Sequence, residues 1–134
     1  MLRRLVCLSV LVSFQICAQA DDGLTAYQEG SFAAAIPLLE AAHSKTPEDA
    51  VIEAALLSSL VSEDRLDRAA EVDADAAKFS STPEVLTARA EFAFHMGDMP
   101  NAEQKFKSAL QLKDTTARVL FGLSRLYHAA SFYR

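Results

Sequence analysis

The chain has 134 residues, 51% of them hydrophobic, with no Trp, four Gly, four Pro and a formal net charge of −5. That length predicts one domain, and a composition rich in Ala and Leu favours helices over strands. The acidic balance argues against nucleic acid and against an anionic membrane surface, both of which reward a basic face.

The first twenty residues read as a leader. Arg3 and Arg4 precede an apolar run from Leu5 to Ile16, and Ala18-Gln19-Ala20 has the small-x-small form of a signal-peptidase site, so cleavage is expected after Ala20. The run is about 12 residues, short of the roughly 20 that a spanning helix needs. Phe14-Gln15-Ile16-Cys17 lacks the small residues that precede a lipidated cysteine. The expectation is therefore a periplasmic or extracellular protein with no membrane association after cleavage. Arg3 and Arg4 leave with the leader, so the charge falls by two, from −5 to −7. Cys7 and Cys17 leave with it too, which removes every disulfide, Cys-ligated metal and cysteine nucleophile from the mature chain.

Beyond the leader, helices are predicted near 22–29, 32–44, 48–62, 65–78, 83–96, 99–112 and 116–130. Thr46-Pro47-Glu48-Asp49 and Thr82-Pro83-Glu84 each offer a hydroxyl cap, a Pro at the first helical position and carboxylates in the first turn. The connections are only a few residues long, so consecutive helices should run antiparallel.

The chain also repeats itself. Ala35, Ala69 and Ala102, then Ala42, Ala76 and Ala109, recur at steps of 34 and 33 residues. Five places before the first alanine of each set stands Gly30, Asp64 or Gly97, followed two later by Phe32, Leu66 or Met99. Together with Phe106 on the last second helix, these residues should make the contacts where paired helices cross. The pattern resembles the tetratricopeptide repeat, a helix-turn-helix unit with small residues where its helices approach. The third unit, Gly97-Asp98-Met99-x-x-Ala102-x-x-x-Phe106-x-x-Ala109, matches at every key place. The first matches through Gly23, Tyr27, Gly30, Phe32, Ala35, Ile36, Leu39, Ala42 and Pro47. The second is degenerate, with Leu57, Asp64 and Asp73 at atypical positions, and is expected to be the most loosely packed.

The resemblance implies an all-α, right-handed solenoid of about three and a half units, near 21–49, 50–82, 83–116 and an incomplete 117–134. Its end carries Leu120, Leu123, Leu126, Tyr127, Phe132 and Tyr133, an apolar set that calls for more chain, a partner or a second copy to cover it. The resemblance also implies a concave groove lined by the first helix of each unit. In the second unit that face is Val51, Ala54, Ser58, Val61 and Ser62. In the third it is Glu84, Thr87, Glu91, Phe94 and His95, and in the fourth Arg118, Phe121, Arg125 and His128. Families that clamp a C-terminal carboxylate carry Lys and Asn where Ala54, Ser58, Thr87 and Glu91 stand here, so a chaperone-tail clamp is not expected.

Chemistry is not expected. The glycines form no phosphate-cradling loop, and His43, His95 and His128 never pair at i, i+4. No Ser, Thr or Tyr has a plausible base in its own repeat. The leading reading is an exported, non-enzymatic scaffold without cofactor or metal that binds a peptide or protein in its groove. Two others stay open: the recognition region of a longer exported hydrolase, such as a protease, with catalysis beyond residue 134, and a subunit that self-associates through its apolar end.

Overall fold

In a computed structural model, residues 18–112 and 116–132 are described, the side chain of Phe132 excepted. They form an all-α array of seven helices: α1 over 18–28, α2 (Phe32–Lys45), α3 (Ala50–Ser62), α4 (Leu66–Ala76, extended by a 3-10 turn at Ala77–Phe79), α5 (Pro83–His95), α6 (Met99–Gln111) and α7 (Ala117–Phe132). None of the described helices is long and apolar enough to cross a membrane.

Each helix pair turns in the same way. The amide of Gly30 donates to Tyr27 O and that of Ser31 to Ala26 O. The same two bonds recur at Asp64 and Arg65, and again at Gly97 and Asp98. This is the double bond that closes a helix whose next residue is left-handed. Gly30 and Gly97 have φ of +76° and +79°, and Asp64 takes the same role at +57° without glycine's freedom. The turn brings the six repeated alanines, each at most 1% exposed, to the helix crossings, where a larger side chain would force the axes apart.

Helix starts follow the sequence less uniformly. Pro83 opens α5 with Thr82 before it, as predicted, but the Thr82 hydroxyl makes no capping hydrogen bond. Thr46 does not begin α3, because its hydroxyl donates back to Ala42 O at 2.9 Å and closes α2 instead. Pro47 and Glu48 form a turn, and Asp49 caps α3 by accepting from Val51 N at 3.0 Å and Ile52 N at 3.3 Å. At the other end of the unit array, α1 already covers residues 18–20. Ala20 packs on the core, and Lys45 Nζ donates to Gln19 Oε1 at 2.9 Å.

The core falls into two clusters that share α5. Val85, Ala88 and Phe92 join the cluster built on α3 and α4, while Leu86, Ala90 and Ala93 face α6 and α7. Ten consecutive residues, Ile52 to Val61, are buried in α3, with neighbours on every side. The second unit is therefore not the loosest region: its atypical Leu57 fills the centre, and Asp73 is tied to Arg89 of α5 at 2.8 Å. The apolar end is also smaller than expected. Leu123 and Leu126 are buried in the cluster with Phe106, whereas Leu120 and Tyr127 are exposed, and Tyr127 donates its hydroxyl to Glu103 at 2.9 Å. Phe132 and Tyr133 lie outside the described side chains.

Candidate functional site: a groove along the first helices

Side chains from all four first helices meet at Arg118 of α7. Its Nε donates to Glu91 Oε1 at 2.7 Å and its Nη2 to Glu91 Oε2 at 2.5 Å, a two-pronged pair between α5 and α7. Nη1 donates to the hydroxyl of Tyr27 in α1 at 2.6 Å, and Nη2 also bonds Ser58 Oγ in α3. Four of the five guanidinium protons are thereby committed. Burial alone would lower the Arg118 pKa, but the hydrogen bonds and charge of Glu91 outweigh it, and the net direction is upward.

Above this clasp lies an open cavity of about 410 Å³, bordered by Tyr27, Gln28, Gly30, Phe32, Ser58, Ser62, Glu91 and Arg118. Tyr27 and Phe32 form its aromatic wall, with ring centroids 6.0 Å apart. A few residues along α7, Arg125 lies over Phe94 at 4.9 Å and over Phe121 at 5.8 Å. Beneath them a shallow crevice of about 30 Å³ reaches the Phe106 ring. Gly122 of α7 lets the Phe106 ring pack directly against that helix, since a Cβ there would come within 2.3 Å of Phe106 Cζ.

The groove residues expected from the sequence are distributed as follows. Glu91, Phe94, His95, Arg118, Phe121 and Arg125 border one or other of these two hollows. Thr87 is 2% exposed, its hydroxyl turned back to Pro83 O at 2.9 Å, because the helices on either side of α5 enclose that position. Glu84 and His128 are exposed outside both linings. From the second unit, Ser58 and Ser62 reach the cavity, Val51 is exposed, and Ala54 and Val61 are buried. Tyr27, Gln28 and Phe32 of the first unit border it as well, although the groove residues assigned by resemblance began only with the second unit. Among the described residues, no group of three or more His, Cys, Asp or Glu could hold a metal ion.

A second polar site was not expected. Glu53 of α3 is fully buried, with His43 Nδ1 of α2 at 2.8 Å from its Oε2. Despite this short contact, neither carboxylate oxygen nor Nδ1 has a hydrogen-bond partner among the described residues. Burial, reinforced by the charge of Asp75, pushes the Glu53 carboxyl up to about 7 against the opposing pull of Lys78 and Arg68.

No protein-family model matches the chain, and no curated protein matches it in sequence. Solved structures do. The Sgt2 TPR domain from Aspergillus fumigatus superimposes with a TM-score of 0.73 at 14% identity, over 87% of this chain and 80% of that one. The second TPR domain of human RPAP3, in complex with the HSP70 peptide SGPTIEEVD, gives 0.70 at 18% identity, over 86% of this chain and 97% of that one. The fold is that of tetratricopeptide-repeat domains. The first TPR domain of Spaghetti, bound to the HSP90 peptide SRMEEVD, aligns at 0.69 and 15% identity over 87% of this chain and 93% of that one. At these identities the likeness concerns the path of the backbone, and the groove chemistry of this tetratricopeptide-repeat fold has to be read from its own side chains.

Proposed function

We propose that this chain is an exported, non-catalytic scaffold that holds a peptide or protein partner along the groove of α1, α3, α5 and α7. The observation that carries the reading is the open hollow over the Arg118 clasp. It is framed by aromatic and polar side chains from every first helix and is large enough for side chains of an extended segment. Solenoids present such extended surfaces to partners, and the RPAP3 and Spaghetti domains of the same fold hold short peptides. Export rests on the leader in residues 1–20, and a mature amino terminus at Asp21 is the expected result of sequencing the secreted or periplasmic species.

The binding claim is tested by panning a random dodecapeptide display library on the purified protein. Enriched peptides should compete with one another for one site, and Ser62→Trp, which fills the hollow from its exposed rim, should abolish their binding while leaving helicity unchanged. Failure to enrich any sequence, or enriched peptides that ignore Ser62→Trp, would reject the groove as the binding site.

A further inference from the structure

The two groove arginines differ in what remains of their hydrogen-bonding capacity. Arg118 has both Glu91 oxygens, Tyr27 and Ser58 on four of its donors, and its charge is matched by Glu91. Arg125 is exposed and lies over two ring faces, Phe94 on α5 and Phe121 on its own helix. Among the described residues no carboxylate pairs with it. Stacking fixes the plane of a guanidinium without consuming its N–H donors, so the side chain is held in place with its fork still free. A preorganised, unneutralised guanidinium is a receptor for a carboxylate, which it binds through two parallel charge-assisted hydrogen bonds.

The surroundings narrow the ligand further. Phe121 is 64% exposed, and the crevice over Phe106 beside it holds about 30 Å³, the scale of a single small group. A carboxylate on Arg125 therefore has apolar surface immediately next to it.

We propose that Arg125 is the specificity-determining residue of the groove, and that it reads an Asp or Glu side chain flanked by a small apolar residue in a segment running through the groove. Arg118 is the clasp that shapes the floor and does not read the partner. This inference rests on the groove-binding reading and assigns the chemistry of the partner within it.

The test uses the peptides enriched by panning, resynthesised with both ends blocked, against the full-length protein and its Arg125→Gln variant. Arg125 is exposed and holds no ion pair among the described residues, so the variant should keep the wild-type circular dichroism. The expected result is that enriched sequences carry an acidic residue beside an apolar one. Changing that residue to its amide should weaken binding to the wild type about tenfold or more, the scale of a lost bidentate charge pair. Arg125→Gln should weaken the acidic peptide by a similar factor, and the amide peptide should bind both proteins alike.

Several results would overturn the proposal while leaving groove binding intact. These are enriched peptides without an acidic residue, an acid-to-amide loss that persists in Arg125→Gln, or binding that requires a free terminal carboxylate. Absence of any enriched peptide would instead remove the groove-binding reading, and this inference with it.

Discussion

Glu53 and Glu91 are carboxylates on the first helices of adjacent units, and their surroundings are opposite. Glu91 lies at the floor of an open groove and receives a two-pronged guanidinium, so its charge is matched within 2.7 Å. Glu53 is fully buried, faces one imidazole at 2.8 Å, and has no hydrogen-bond donor among the described residues. The contrast teaches that burial alone does not make a carboxylate a fixed charge. With a guanidinium in register it becomes a strut between helices, and without one it becomes a proton-binding group inside the core.

The larger expected effect concerns Glu53. Its carboxyl sits at about 7 in the folded chain against an ordinary value of 4.5, so the folded state binds the proton more tightly than the unfolded one. The stability this supplies is fully present below about 4.5 and is lost as pH rises through 7. A shift of that size corresponds to about 3 kcal/mol between the two limits. Urea midpoints at pH 5 and pH 8 should therefore fall with rising pH in the wild type. In Glu53→Gln, which cannot ionise, this fall should largely disappear. An unchanged slope in the variant would mean that Glu53 is not the group responsible.

A smaller effect is expected at the other carboxylate. Arg118→Ala leaves Glu91 without its cation and unties α1 from α7, but the pair is partly solvated, so the loss should be about 1–2 kcal/mol and should shrink at high salt. Hydrogen exchange in α1 should quicken more than in α3, because Tyr27 loses its tie to α7 while α3 keeps its packing. Equal acceleration in both helices would show that the clasp does not join the ends of the array.

The sequence made the frame of the molecule readable and hid much of its polar chemistry. The repeated alanines were legible because a helix crossing tolerates only small side chains, and that demand recurs with the repeat. The place of Asp64 in register with Gly30 and Gly97 was legible too, but its left-handed backbone was not, since Asp at that position reads as a departure from the repeat. The clasp was not readable, since its partners lie 27, 60 and 91 residues from Arg118 and meet only because four helices stack in one direction. Nothing local marks Tyr27 or Ser58 as its acceptors. Glu53 does carry a local signal, a lone carboxylate inside the largely apolar run Ala50–Val61, where a helix enclosed on every side gives it no route to solvent. Thr87 was misplaced outward because register along a helix specifies a face, and the packing of neighbouring helices then decides how much of that face stays open.

The most direct test of the groove as the binding surface is two-dimensional amide NMR of the isotope-labelled protein titrated with a panned peptide. Shifts concentrated on α3, α5 and α7 around Ser58, Glu91, Phe94, Phe121 and Arg125 are the predicted result. Shifts concentrated on the second helices α2, α4 and α6, with the groove residues unmoved, would contradict the account.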